Sequence, residues 1–471
     1  MFFLKRFIKS SDIILIMCPP WDTMMPPLGI AYLERHLKEK GFYPIILDIN
    51  IDLYNRVSKE ERILWRPESY PYWFEEERFL RLKNSWETYF EKYTKKILSF
   101  KTPFIGFSVN TSNRLFSLEL AKRIKLEDKR KTIIFGGPAT FGLHLDTFFL
   151  RKKENLPVDI FVVGEGEETL YEILLTHGKN KTKGAIFKED GGYTSLILRH
   201  PIMDINTIPF PTFKSFPLDK YLIPALPLLL SRGCVSKCSF CNDHRLSFPY
   251  RWKNPSYMSE EIEYHIRYNK INSFSFKDLL CNGNISILEN LCDLIIERRL
   301  NINWDSQAVP RKEMDLSILE KMKQAGCHTL IYGLESASNR VLNRMKKMFT
   351  KEIAEKVIQD TWRAGIRVYI NIIVGFPGET EEDFMETYNF IKENRKYIDS
   401  LAALSVCLVN GETDLEFNPS KYGLLLPEEP ERRAPFWKDI YGNDYSLRRE
   451  RAERIISLLK ELNLSYDSLN I

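Results

Sequence analysis

At 471 residues the chain is too long for one ordinary hydrophobic core, so two or three domains are expected. It is 44% hydrophobic and 28% charged, and 68 basic against 63 acidic side chains leave a net charge of only +5. That balance lacks the electrostatic footprint of a nucleic-acid binder, and no run approaches the roughly 18 continuous apolar residues of a membrane span.

The N-terminus, MFFLKRFIKS, is basic and apolar, but the next apolar run, Ile13–Met17, is too short for a signal-peptide core. That run reads as a buried strand. It is followed by the loop CPPWDTMMPPLG and by a helix over residues 29–41, with Ile30, Leu33 and Leu37 on one face and Gly41 as its stop. A second strand, Pro44–Asp48, completes a β-loop-α-β unit and implies parallel pairing. Residues 56–99, charged and carrying Trp65, Trp73 and Trp86, read as a helical insertion. The rhythm then resumes with strands at 104–109 and 132–138, a helix over 114–125 between them, and a strand at 159–163 that runs through Gly164-Glu165-Gly166 into a helix. Residues 1–204 therefore read as an open, doubly wound, Rossmann-like α/β domain. Such sheets bind ligands beyond the carboxyl ends of their strands. The unusual loops fall there: Pro27-Leu28-Gly29, Ser108 with Asn110 and Thr111, Gly136-Gly137, and Gly164-Glu165-Gly166. No G-x-G-x-x-G opens the first helix, so a dinucleotide is disfavoured.

Residues 205–227 are rich in proline and aromatic residues. Pro209, Pro211 and Pro217 oppose helix, so the segment reads as an extended strap between two halves, packed by Phe210, Phe213 and Phe216.

After the apolar run Pro224–Leu230 comes SRGCVSKCSFCN, with Cys234, Cys238 and Cys241 at C-x3-C-x2-C spacing. Thiolates are the preferred ligands of iron–sulfur clusters and zinc. A cubane held by three cysteines leaves one iron open, whereas a structural zinc site wants four ligands. Cys234, Cys238, Cys241 and His244 also fit a Cys3His zinc site, so both metals stand at this point. Eight cysteines with three clustered this way fit a reducing cytosol, hence a cytoplasmic location.

Beyond the cysteines the alternation restarts. Strands are expected at 272–278, 301–307, 328–336, 367–375 and 399–409, with amphipathic helices between them. With the strand before Cys234 they suggest a partial (β/α)6 barrel over 228–415, its cysteine loop at the carboxyl face. Residues 416–471 read as a short helical tail with an amphipathic helix near 447–462.

C-x3-C-x-aromatic-C after a strand resembles the signature of the radical S-adenosylmethionine (radical SAM) enzymes. The resemblance implies a 4Fe–4S cluster on Cys234, Cys238 and Cys241, with the amino and carboxylate groups of S-adenosylmethionine on the fourth iron. The family's strand-end pattern extends to FSFKDLLCNGN, GLESASNRVLNRMKK and NIIVGFPGET. It implies Asp278, Glu335 and Ser336 near the substrate, the methionyl group or the ribose, the backbone of Val374 and Gly375 at adenine, and Phe240 packed on adenine or cluster. Gln307 is a further polar strand end. Asp278 and Glu335 could equally cap helices or pair with loop charges, and Arg340 and Lys346 suit a solvated helix face. Val235 stands where many relatives have proline, and NGETD (410–414) replaces their P-G-T-type loop.

In the first domain PPLGIAYLERHLKEKG, GGPATF and VVGEGEET resemble the cobalamin-binding domain fused in front of many such enzymes. D-x-H-x-x-G is absent, which resembles binding without a histidine lower ligand. Cys18 could lie near the corrin or be a buried strand-end thiol. Nothing cysteine-rich follows Cys407 and only Cys18 precedes residue 234, which disfavours an auxiliary cluster and a methylthiotransferase N-terminal domain. The resemblance implies a cobalamin-dependent methyltransferase that cleaves S-adenosylmethionine reductively to a 5′-deoxyadenosyl radical and methylates an unactivated carbon or phosphorus. It further implies a small-molecule or peptide substrate and an electron donor such as flavodoxin or ferredoxin. A non-methylating rearrangement, cyclisation or oxidation is the alternative, and a zinc-stabilised binding protein with a degenerate barrel a more remote one.

Overall fold

The computed structural model describes residues 11–151, 156–243, 249–409, 411–428 and 434–470. The basic N-terminal stretch, His244 and Asn410 lie outside them. The chain divides into two compact units, Met1–Pro224 and Ala225–Ile471.

The first unit is built on strands β1 (Ile13–Met17), β2 (Pro44–Asp48), β3 (Phe104–Ser108), β4 (Thr132–Gly136), β5 (Ile160–Val162), β6 (Ala185–Glu189) and β7 (Gly192–Tyr193), in the spatial order β2-β1-β3-β4-β5-β6-β7. β1–β5 are parallel, and every residue of β1 is buried, as a strand covered on both faces must be. β6 and β7 run antiparallel and close the sheet's edge, a feature not expected from the sequence. The chain reverses between them at Asp190-Gly191, where Gly191 takes φ +90°.

The insertion is helical, with the helices Pro71–Phe74, Glu76–Ser85 and Glu87–Leu98. Its tryptophans form one buried cluster: Trp73 lies 5.2 Å from Trp65 and 5.5 Å from Trp86 between ring centroids. These rings and Phe116 belong to the same core as β1, β3 and β4, so the insertion is part of the unit's interior.

The strap over 205–224 folds with the first unit and is not a free tether. Burial explains why. Asp48 and Glu34 are buried carboxylates that need partners, and Tyr221 (2.7 Å to Asp48) and Ser215 (to Glu34) supply hydroxyl donors from the strap. Leu222 N–H donates to Thr23 O (3.1 Å), and Phe213 and Phe216 are buried. The change of unit therefore falls at Pro224, inside the expected linker.

The second unit carries β8 (Leu226–Leu228), β9 (Ser231–Arg232), β10 (Arg251–Trp252), β11 (Ser273–Phe276), β12 (Asn303–Ala308), β13 (Cys327–Glu335), β14 (Arg367–Val374) and β15 (Ser400–Val406). β8 and β11–β15 pair in parallel and in chain order, as the βα alternation implied. Val368, Ile370, Ile372 and Val374 are buried on one face of β14, while Tyr369, Asn371 and Ile373 face a less covered side. The tail was expected to be helical. Its amphipathic helix is Tyr445–Glu461, but Ser465–Tyr466 and Leu469–Asn470 then pair parallel along β15, satisfying that strand's free edge.

Candidate functional site

The cysteine loop leaves β8 at its carboxyl end. Its root is closed by the antiparallel pair β9–β10 and by Lys253 N–H donating to Leu230 O at 2.7 Å, so the cysteines follow a fixed base. Asp278, just past β11, holds that base from below. Its carboxylate accepts the N–H of Leu230 and both the N–H and the hydroxyl of Ser231. Burial pushes the Asp278 carboxyl up to about 6, and these donors pull against that. Asp278 thus positions the loop, and its oxygens are engaged inside the protein.

The far side of the loop is pinned as well. Ser239 N–H donates to Met345 O (3.0 Å), Leu415 N–H donates to Ser239 O (3.1 Å), and the Asn242 amide donates to Gly411 O (3.3 Å). Met345, Gly411 and Leu415 therefore fasten the segment that carries Cys238 and Cys241. Ser236 N–H donates to Cys234 Sγ at 3.4 Å. None of the three cysteines is in a disulfide, with Cys238 buried and Cys234 and Cys241 half-buried. Burial raises the Cys234 and Cys238 thiols, and Lys347 opposes it at both. Among the described residues no three His, Cys, Asp or Glu side chains form a group that could hold one ion. A cubane makes no such demand, because each thiolate takes a different iron. Three unoxidised thiols on one anchored loop, with a cation beside them, fit the donor set of a cluster.

Lys347 is the residue that sequence reasoning passed over. Its ammonium donates to Gly333 O (2.8 Å) and pairs with Glu335 (3.2 Å), and it lies 5.4 Å from the Phe240 ring centroid. The available signal was its place in the strand–helix stretch that carries Glu335. Phe240 also packs on the core of Val341, Phe376 and Leu415. Glu335 takes φ +67° where the register of β13 on β14 slips, so a bulge aims it at Lys347.

The other expected positions divide. Gln307 is exposed on β12, on the same side of the strand as the half-buried Asp305. Ser336 is buried and its hydroxyl is engaged with Thr387 (3.2 Å) and Ser338 N–H (3.1 Å). Val374 is buried with its carbonyl accepting from Cys407 N–H, while Gly375 donates to Glu379 and accepts from Asn443, so these backbone groups are already paired. Arg340 and Lys346, expected on a solvated face, are ion-paired with Asp383 and Asp414. Asp305, Tyr369, Asn371 and Ser405 are half-buried polar residues on β12, β14 and β15 that were not singled out. The alternation in RVYINIIV is the signal that could have found two of them.

In the first unit the four noted loops follow the aligned carboxyl ends of β1, β3, β4 and β5. Met17 stands opposite Ser108, and Ser108 opposite Gly136. Asn110 Oδ1 accepts from Ser112 Oγ (2.7 Å) and Asn113 N–H (3.0 Å), closing that loop on itself, with Thr111 exposed at its tip. Gly137 takes φ +100°, and a Cβ there would lie 2.7 Å from Val109 O. Pro27 caps the helix Leu28–Glu39 and is buried, while Gly29 and Gly164 are exposed with open space beside them. Gly166 packs on Leu33, and Glu165 accepts from Ile202 N–H at 2.8 Å. The loops themselves contain no histidine. Cys18 is buried at the end of β1 and pushed up to about 12 by that burial, which is the strand-end reading.

Residues 228–391 match the family model of the radical SAM superfamily, so the cysteine loop and the parallel strands after it form a radical SAM domain. The chain thus carries a radical SAM domain over those residues. Among curated proteins it resembles an uncharacterized methyltransferase of Pyrococcus horikoshii, 27% identical across 81% of this chain and 78% of the relative. It also resembles the anaerobic magnesium-protoporphyrin IX monomethyl ester cyclase of Rubrivivax gelatinosus, 23% identical across 78% of this chain and 62% of that one. Among solved structures it is similar in fold to the radical SAM methyltransferase TsrM of Kitasatospora setae with cobalamin and a 4Fe–4S cluster bound. The TM-score is 0.68 at 16% identity, covering 96% of this chain and 89% of that one. In the described residues no helix is long and apolar enough to cross a membrane.

Proposed function

We propose that the chain is a cobalamin-dependent radical SAM methyltransferase whose second unit is a partial (β/α)6 barrel. The observation that carries this is the anchored loop of three cysteines outside any disulfide at the carboxyl end of β8, and the loops at the carboxyl edge of the first unit's parallel sheet support the cobalamin reading. When bound, the cluster, S-adenosylmethionine and cobalamin supply a 5′-deoxyadenosyl radical and a methyl carrier. The protein's own residues do the rest. Cys234, Cys238 and Cys241 hold the cluster after giving up their thiol protons, which makes loading proton-coupled. Asp278 fixes the loop's base. Gln307, Glu335 and the half-buried polar face of β12, β14 and β15 are assigned to S-adenosylmethionine and a small-molecule or peptide substrate. The loops at Pro27–Gly29, Ser108–Thr111, Gly136-Gly137 and Gly164–Gly166 are assigned to the corrin, without a histidine lower ligand. The electron comes from a donor of the flavodoxin or ferredoxin class.

Anaerobic purification and reconstitution with hydroxocobalamin, followed by counting iron, sulfide, zinc and cobalt per chain, is the test. About four irons and one cobalt are expected. Iron without cobalt keeps the radical enzyme and removes methyl transfer through cobalamin, whereas zinc alone removes both. The likeness to a cyclase favours one second reading, a radical cyclisation or rearrangement. 5′-Deoxyadenosine formed without a methylated product would select it.

A further inference from the structure

Lys347 is a charged side chain only 6% exposed. Replacing a buried ion pair by apolar residues is often neutral or stabilising, so stability gives this pair little reason to exist. Its surroundings suggest another. The ammonium is held between Gly333 O and Glu335 Oε1 and faces the ring of Phe240, the residue between Ser239 and Cys241. A Cβ at Gly333 would lie 2.9 Å from Glu335 Oε1 and 3.4 Å from Lys347 Nζ, so the ends of both side chains close over that residue. Burial works against the ammonium, and the Glu335 carboxylate 3.2 Å away opposes that pull. Glu335 in turn sits on a bulge with a left-handed backbone, a strained conformation that recurs where geometry serves function.

The potential of an iron–sulfur cluster responds to net charge and nearby fields. One-electron reduction adds a negative charge to a cluster already bearing three thiolates, and a fixed cation in a poorly screened site favours the reduced form. We propose that Lys347, held by Gly333 and Glu335, sets the reduction potential of the cluster on Cys234, Cys238 and Cys241. It makes the single electron from the flavodoxin- or ferredoxin-class donor easier to accept, and Glu335 moderates the effect. This rests on the cluster assignment made above.

The test is a redox titration of the reconstituted full-length enzyme without S-adenosylmethionine, followed by the paramagnetic resonance of the reduced cluster, with iron and sulfide counted in every sample. Lys347→Met is expected to lower the reduced-to-oxidised ratio at a fixed potential about tenfold, a shift of about 59 mV. Glu335→Gln is expected to raise that ratio, and Lys347→Arg to stay near the parent enzyme. If Lys347→Met fails to fold or load iron, Glu335→Gln decides by the sign of its shift. Unchanged ratios overturn the inference. So does an effect confined to S-adenosylmethionine affinity, which would make Lys347 a binding residue only. A parent enzyme that loads zinc and no iron overturns the cluster assignment itself and this inference with it, and the metal count tells the two failures apart.

Discussion

Glu379 shows how single buried charges govern this protein's response to pH. Its carboxylate accepts from Gly375 N–H (2.6 Å) and pairs with Arg451 (2.9 Å), both carboxylate and guanidinium being almost wholly buried. Burial pushes the Glu379 carboxyl up to about 7, and Arg451 pulls it back only in part. A carboxyl raised on folding contributes stability that is complete below its unfolded pKa, about 4.5, and is lost as pH rises through about 7. At most about 3 kcal/mol is at stake, from 1.36 kcal/mol per pKa unit. Glu379→Gln is expected to flatten the fall in stability between pH 5 and 8, measured as urea midpoints. An unchanged slope would assign that fall to other groups, such as Asp278. At this scale the cysteines were legible because ligand spacing is local. The engagement of Ser336, Asp278 and Gly375 was not, because each depends on a partner from a distant element: Thr387, Ser231 or Asn443.

Among the elements, strands and helices of the parallel sheets were legible from apolar runs and helical periodicity, and their order followed from the crossover rule. The edges were not. β6–β7, β9–β10 and the short strands after residue 464 are brief pairings decided by tertiary contact, although the Asp190-Gly191 turn was a readable hairpin signal. The turn after β4 shows how tightly one loop is specified. Gly137 has φ +100°, and a Cβ would lie 2.7 Å from Val109 O and 2.9 Å from Val109 N, both backbone atoms that cannot swing aside. Gly137→Ala is expected to destabilise the first unit by about 1–3 kcal/mol and to weaken cobalamin uptake, read by thermal unfolding and by the corrin absorbance retained on desalting. Full stability in that variant would show that the loop relaxes freely.

For the whole molecule, the two sets of assigned cofactor residues fall on opposite sides of the Pro224–Ala225 boundary. Replacing Cys234, Cys238 and Cys241 together by alanine should therefore abolish iron and sulfide while leaving cobalamin binding within about twofold of the parent. Cobalt lost together with iron would show that the first unit does not hold the corrin by itself. The strap belongs to the first unit, and composition alone could not reveal this, because proline-rich sequence looks the same whether it hangs free or is held by buried carboxylates.

The clamp on the cysteine loop also has a consequence in time. Met345, Gly411 and Leu415, which fix Ser239 and Asn242, are made long after the cysteines themselves. At about 5–20 residues per second of synthesis, roughly ten to thirty-five seconds separate Cys241 from Leu415. Through that interval the three thiols are on the growing chain but the frame that holds them is not. If these cysteines take the proposed cluster, stable loading is expected only after most of the second unit has been synthesised, which a pulse of iron label on stalled chains ending before and after Leu415 would check.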